Sequence, residues 1–145
     1  MGTRARVNVF KGNTLLVSIY RQFDGYPDGL GKEVAEFAGK LRITTGIAGN
    51  PAGTANGMGC FAAQLVSLLK KDRANGSCVG NVYIRDTGPE SHGEEFSYNL
   101  REKDGRVWID ALEGSATAFG NPGDSEAEMK PIFSGFASDF KVQSD

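Results

Sequence analysis

IYRQFDGYPDGLGK, residues 19–32, joins a strand-like pattern to a helical one. The stretch holds three aromatic residues, one arginine, two aspartates and three glycines. A hydrophobic core does not need that mixture, whereas aromatic faces beside a guanidinium and a helix N-terminus suit a planar anionic ligand such as a nucleotide. The stretch therefore predicts a strand-to-helix corner and a candidate binding site.

The segments around this corner carry clear secondary-structure patterns. Thr3–Phe10 and Leu15–Tyr20 have the alternating or β-branched character of strands, and the turn-like residues 11–13 between them predict an antiparallel hairpin. After the corner, apolar residues recur with a helical period, so a first helix is expected over about Gly29–Leu41. A second helix is expected to open at Asn56-Gly57-Met58-Gly59 and to end near residues 70–73.

Three more strands are expected, at Cys78–Arg85, Glu95–Glu102 and Arg106–Leu112, and Asp104-Gly105 predicts a hairpin between the last two. Because the strands come in runs, the order β-β-α-α-β-β-β indicates an α+β fold, with a mostly antiparallel sheet and two helices packed on one face.

Two segments stand apart from this pattern. Residues 44–54 are rich in glycine and lack a periodic apolar face, which is typical of an exposed, mobile loop. We expect one α+β domain over residues 1–114, followed by a C-terminal extension, residues 115–145, whose phenylalanines dock on the domain or on a neighbouring subunit.

Composition limits the classes of function. The chain has 145 residues, 39% of them apolar, and 16 Lys plus Arg against 18 Asp plus Glu. The net charge of −2 offers no sequence-independent attraction to DNA or RNA polymers. Two cysteines and one histidine are too few for a structural zinc site, and no apolar run suggests a membrane span or a leader. We expect a soluble cytoplasmic protein without metal or cofactor.

The corner supplies the first candidate site. Arg21 offers a planar fork of donors for a phosphate, and Phe23 or Tyr26 offers a stacking face. An alternative explains the same residues structurally, with Arg21 paired to Asp24 or Asp28 and the rings in the core. The two interpretations remain open at this stage.

The start of the second helix supplies another. Asn56, Gly57, Met58 and Gly59 could expose backbone N–H groups to an anion, although a close helix crossing explains the two glycines equally well. Cys60, at the same helix end, could act as a nucleophile with His92 as its base, but a buried, inert thiol is favoured. The acidic loop over residues 85–95 is interpreted as solvated and not as a catalytic or metal site.

Four runs together carry a resemblance: residues 19–33, residues 56–65, Gly80-Asn81-Val82-Tyr83-Ile84 and Glu94-Glu95-Phe96-Ser97-Tyr98. They resemble a family of small phage and prophage proteins, the first Thoeris anti-defence family, over roughly residues 3–112. The resemblance implies a homo-oligomeric sponge, with pockets at subunit interfaces, in the cytoplasm of the bacterial host. Such a protein sequesters cyclic ADP-ribose isomers, or cyclic oligonucleotides, without cleaving them.

A ligand of that class presents phosphates and a base, which need donors and a stacking face. The candidate contacts are Arg21, Arg85 and Arg101 for phosphate, Phe23, Tyr26, Met58 and Tyr98 for the base, Asn56 and Asn99 for its edge, and the backbone of Gly57 and Gly59. Two other functions stay open, a nucleotide-processing enzyme such as a phosphodiesterase and a protein-binding phage accessory module.

Overall fold

The computed structural model describes residues 3–46, 52–70, 82–85, 94–114 and 130–141. Two helices follow the first hairpin, α1 at Lys32–Gly39 and α2 at Gly57–Lys70. The strands in chain order are β1 Ala5–Lys11, β2 Thr14–Arg21, β3 Arg42–Thr44, β4 Thr54–Asn56, β5 Val82–Arg85, β6 Phe96–Lys103, β7 Arg106–Glu113 and β8 Lys130–Phe136. No helix in these described ranges is long and apolar enough to cross a membrane.

Six strands form the main sheet, in the order β5-β2-β1-β6-β7-β8. Every neighbouring pair is antiparallel except β1 and β6, which run parallel. The prediction of an α+β fold with a mostly antiparallel sheet and two helices on one face is confirmed. β8, which comes from the segment after Gly114, forms one outer edge of this sheet.

The helices cover the face of the sheet that carries Ala5, Val7 and Val9 of β1, and all three side chains are fully buried. From the helices, Val34 of α1 and Phe61 and Leu65 of α2 fill the space above them. Burying a large apolar side chain contributes about 1.5–3 kcal/mol. This layer is therefore the main source of the domain's stability.

The hairpin between β6 and β7 shows why the Asp-Gly signal works. Asp104 and Gly105 both have positive φ, 55° and 74°, as a type I′ turn requires. The Gly105 carbonyl accepts a hydrogen bond of 2.8 Å from the N–H of Ile43 in β3. The turn thus ties the segment between the helices to the end of the main sheet.

Part of the segment expected to be a mobile loop is ordered. β3 and β4 pair in parallel, with Thr44 opposite Asn56, while residues 47–51 lie outside the described ranges. The side chain of Asn56 accepts a hydrogen bond from the Gly46 N–H at 2.9 Å and donates one to the Gly46 carbonyl at 3.1 Å. The Asn56 amide therefore ties Gly46 to the end of β4. This order was not predicted because it depends on one polar side chain and not on a periodic apolar pattern.

Candidate functional site on the open face of the sheet

The strand register divides the side chains of the sheet between two faces. We call the one opposite the helices the open face, since no described helix packs on it. Its side chains on β1 and β2 are nevertheless mostly buried, among them Arg6, Asn8, Ser18 and Tyr20, and those on β7 and β8 are partly exposed. Its side chains, from β5 to β8, are Tyr83, Arg85, Ser18, Tyr20, Arg6, Asn8, Phe10, Ser97, Asn99, Arg101, Lys103, Arg106, Trp108, Asp110, Leu112, Ser134 and Phe136.

A row of polar side chains crosses the middle of the open face. The Ser18 hydroxyl donates to Oδ1 of Asn8 at 2.7 Å, and Nδ2 of Asn8 donates to Oδ1 of Asn99 at 2.8 Å. Further along the row, the Ser134 hydroxyl donates to Asp110 at 2.6 Å. Asn8 and Ser18 are fully buried. Buried polar groups satisfied in this way fix rotamers and register, so the row is a rigid base for the groups around it.

Asn99 is the partly exposed member of that row. Its Oδ1 accepts from Asn8, whereas its Nδ2 has no hydrogen-bond partner among the described residues. The amide therefore has a fixed orientation and two donors available to a ligand.

Cations lie over aromatic rings on both sides of the polar row. The Arg85 guanidinium is 4.3 Å from the Tyr20 ring centroid and 5.7 Å from that of Tyr83. On the other side, the Arg101 guanidinium lies 5.1 Å from the centroid of Phe10. These distances place both guanidinium groups within the range of cation–π attraction to a ring of the same face.

Two more such contacts lie towards the β7–β8 side. The Lys103 ammonium is 4.2 Å from the Trp108 ring centroid, and the Arg106 guanidinium is 4.0 Å from that of Phe136. Energetically significant cation–ring pairs occur roughly once per 70–80 residues in proteins. All five contacts in the described part of this chain fall on one face, which marks that face as unusual.

The two inner arginines keep donors that the protein does not use. The Nε atoms of Arg85 and Arg101 are buried, and neither has a hydrogen-bond partner among the described residues. Arg101 has only a loose ion pair, with Nε 3.8 Å from Oδ2 of Asp110. A buried donor without a partner is costly, so both guanidinium groups keep hydrogen-bonding capacity that the described residues do not use.

One arginine of the open face forms a buried ion pair within the protein. Nε and Nη2 of Arg6 both donate to Oε1 of Glu94, at 3.1 and 2.8 Å, and both side chains are buried. This buried pair anchors the start of β1 to Glu94, two residues before β6. It is part of the framework and not of the ligand surface.

The structure brings together three of the residues nominated from sequence, Arg85, Asn99 and Arg101, on the open face. The corner residues lie elsewhere. Arg21 faces the helix side, where Nη1 pairs with Oε2 of Glu33 at 2.7 Å and Nε donates to the Phe23 carbonyl at 3.0 Å. Its partner is thus a residue of α1 and neither of the aspartates that the sequence offered.

Phe23 and Tyr26 are 40% and 41% exposed at that corner. The Tyr26 hydroxyl donates to Asp24 at 3.3 Å, and the charge of Asp24 raises the pKa of the phenol. Tyr26 also lines a cavity of about 330 Å³ beside β8. Two acids, Asp28 and Glu113, line it together with two lysines, so its charge does not favour an anion.

The start of α2 is shaped mainly by local structure. Asn56 is occupied with Gly46, and Met58 is buried in the core. Gly57 has φ of +81°, and the space in front of Gly57 and Gly59 is open. The glycines therefore leave the helix end accessible, but the polar side chain next to them is not available to a ligand.

Two other candidates have clear surroundings. The pKa of the Cys60 thiol is lowered, first by a hydrogen bond from the Gln64 side chain and second by one involving the Asn56 backbone. Cys78 and His92, the proposed base, lie outside the described residues.

Tyr98 is buried between the sheet and the helix layer, where its hydroxyl donates to the Gly25 carbonyl at 2.7 Å.

Sequence reasoning did not nominate most of the aromatic and basic residues of the open face, such as Phe10, Trp108 and Arg106. A signal exists, because Arg106, Trp108 and Asp110 alternate with the buried Val107 and Ile109 along β7. The alternation along one strand shows only which of its own side chains share a face. The order of the strands in the sheet is needed to know that the polar side chains of six strands lie on the same face.

The described residues contain no group of three or more histidine, cysteine or acidic side chains placed to hold a metal ion. Comparison of the chain with protein-family models, with curated proteins and with solved structures gave no match.

Proposed function

We propose that the protein binds a nucleotide-type ligand on the open face and holds it without cleaving it, as a sponge for cyclic nucleotide signals. The observation that carries the proposal is the gathering of all five described cation–ring contacts on that face. A cyclic nucleotide offers an anionic phosphate and a planar base, which are the partners of a guanidinium and of a stacked ring.

The spacing of the two inner arginine sites suits a ligand of this size. Tyr20 lies opposite Arg6, four residues before Phe10 on β1, so the Cα atoms of Tyr20 and Phe10 are about 14 Å apart along and across the strands. Asn99 lies in the row between them. Phosphate oxygens would contact Arg85 and Arg101, and the free amide N–H groups of Asn99 would donate to the edge of the base.

The second half of the proposal, holding without turnover, follows the family resemblance, which implies sequestration of cyclic ADP-ribose isomers. The resemblance also implies a homo-oligomer. Ile84, 58% exposed on edge strand β5, is an apolar group that a second copy would cover. Light scattering of the purified protein tests this part, and a monomer at all concentrations would contradict it.

Ligand recovery tests the function itself. The protein is incubated with cyclic ADP-ribose isomers and with cyclic dinucleotides, the free ligand is measured, and the protein is then denatured by heat. We expect depletion of one ligand from solution and its recovery unchanged, as read by mass spectrometry. Recovery of a cleaved product would refute the sponge and favour a phosphodiesterase.

Matched variants locate the site. Arg85→Gln and Arg101→Gln each remove a cation from the open face while keeping a hydrogen-bonding side chain, and we expect each to abolish retention of the ligand. Arg42→Gln removes an exposed cation from β3, away from this face, and should leave retention intact. Equal loss in all three variants would refute the assignment to the open face.

A further inference from the structure

We propose that the cavity beside β8 binds an aromatic amino acid in its zwitterionic form. This cavity of about 330 Å³ lies between the corner at residues 26–28, the paired ends of β7 and β8, and Phe140. Phe96, which pairs with Ala5, and Phe133, which pairs with Ala111, place it on the helix side of the sheet. The cavity is therefore separate from the open face, and the inference does not rest on the proposed nucleotide ligand.

The cavity is accessible from solvent. Tyr26 and the four charged side chains that line it are exposed, and its aromatic walls at Phe96, Phe133 and Phe140 are half-buried. None of its described lining residues belongs to the buried core. Its volume lies at the lower end of the range for small-molecule pockets, which suits a ligand the size of one amino acid.

Two phenylalanines form a fixed apolar wall. The rings of Phe133 and Phe140 meet edge to face, with their centroids 5.0 Å apart and their planes at 72°. A Cβ added at Gly135 would lie 2.9 Å from the Phe133 ring, and one added at Gly31 would lie 3.1 Å from the Phe140 ring. Because both rings lie against glycine backbone, they are held in place, and the ring of a ligand can pack on them in the same edge-to-face manner.

An acid and a base stand side by side at the end of β7 and β8. Glu113 pairs with Lys130 across the two strands, and residues in that relation have Cβ atoms only about 5 Å apart. Within the described residues, neither side chain forms an ion pair or a hydrogen bond. An α-amino acid carries its ammonium and its carboxylate on one carbon, so it can contact both of these charges at once.

The other two charges of the cavity repeat this balance. Asp28 lies at the corner and Lys141 follows Phe140, and neither forms an ion pair with a described residue. Two acids and two lysines cancel, so the cavity favours neither a pure cation nor a pure anion. Charges of both signs around an aromatic wall complement a zwitterion with an aromatic side chain.

Saturation-transfer NMR with phenylalanine tests the ligand class. We expect transfer from the protein to the ring protons of phenylalanine and weaker binding of alanine, which has no ring. N-acetylphenylalanine lacks the ammonium and phenylalaninamide lacks the carboxylate, so each should bind at least about tenfold more weakly, the loss of one charge-assisted hydrogen bond. The dipeptide Phe-Phe separates the two charges, and tighter binding of the dipeptide would overturn the assignment to a single amino acid.

Paired variants and ligands locate the contacts. Lys130→Gln should weaken phenylalanine about tenfold and leave phenylalaninamide unchanged, because the amide has no carboxylate to lose a partner. Glu113→Gln should weaken phenylalanine and leave N-acetylphenylalanine unchanged. Lys11→Gln removes an exposed cation at the far end of β1 and is the matched control, with no change expected for any ligand. A merely structural effect would weaken all three ligands alike.

Three results would overturn the inference: no saturation transfer to phenylalanine, equal binding of phenylalanine and its two capped forms, or equal weakening by Lys130→Gln and Lys11→Gln. Retention of a cyclic nucleotide should be unchanged in Lys130→Gln and Glu113→Gln, because the two sites lie on opposite sides of the sheet. If a cyclic nucleotide is retained and phenylalanine does not bind, the inference fails alone. If phenylalanine binds and no cyclic nucleotide is retained, the proposed function fails alone.

Discussion

Removing the charge of Glu94 should destabilise the protein far more than an exposed ion pair would. In Glu94→Gln the buried Arg6 guanidinium keeps its charge but loses the carboxylate 2.8 Å away. Removing one partner of a buried pair typically costs about 3–5 kcal/mol. We expect the lower end, about 3 kcal/mol, because both hydrogen bonds end on Oε1 and a glutamine oxygen in that place can still accept them.

Urea denaturation followed by far-UV circular dichroism measures this change in the free energy of unfolding. In a thermal scan the same change should lower the Tm by roughly 10 °C for a chain of this size. Glu33→Gln is the control, since it breaks the more exposed pair of Arg21 and should cost at most about 1 kcal/mol.

A double variant tests the physical reason. Arg6→Met combined with Glu94→Leu removes both charges and fills the space with apolar groups, a replacement that is often neutral or stabilising. We expect it to be more stable than Glu94→Gln. The reasoning is refuted if Glu94→Gln costs no more than Glu33→Gln, or if the double variant is less stable than Glu94→Gln.

Three further predictions concern single positions. Tyr98→Phe should cost about 1–2 kcal/mol in urea denaturation, since it leaves the buried Gly25 carbonyl without its donor. Burial raises the pKa of Tyr98, so wild-type stability should hold below the ordinary phenol pKa of about 10 and fall as pH rises above it, a loss that Tyr98→Phe should reduce. Gly57→Ala should destabilise by about 1 kcal/mol because φ is +81°, whereas Gly59→Ala, in open space within the helix, should stabilise by up to about 1 kcal/mol; equal shifts in Tm would contradict this. Gly25→Ala would place a Cβ 2.5 Å from that of Ala5, and a loss of less than 1 kcal/mol would contradict this close packing.

Local signals predicted most of the fold. Asp104-Gly105 predicted the β6–β7 hairpin because a type I′ turn needs positive φ at two successive residues, which Asp and Gly tolerate. The helical period from Leu30 onward predicted α1, although the turn over Pro27–Gly31 is π-helical and the regular helix begins at Lys32. β3 and β4 were missed because three residues are too few to show a period.

The candidate site was harder to predict, because it depends on pairings between distant segments. Arg85, Asn99 and Arg101 were nominated, but nothing in their local sequence shows that β2 and β1 lie between β5 and β6. Tyr98 was predicted to contact the base of a ligand, but it lies opposite Ala111 on the helix side of the sheet and is buried. The alternation of side chains along a strand predicts two faces, and only the fold shows which face is covered.

The parallel pairing of β1 with β6 has a consequence for how the chain folds. Ala5 lies beside Phe96, so the central strand gains its second neighbour only after the intervening chain has been synthesised. The hairpin of β1 and β2 can form early from local contacts, whereas closure of the long loop carries the entropic cost that slows domains rich in distant pairings. Until then one edge of β1 has no strand beside it, and the polar side chains of Arg6 and Asn8 lack Glu94 and Asn99, their partners in the folded protein. Chaperone access on the ribosome should therefore matter most between the synthesis of β2 and that of β6.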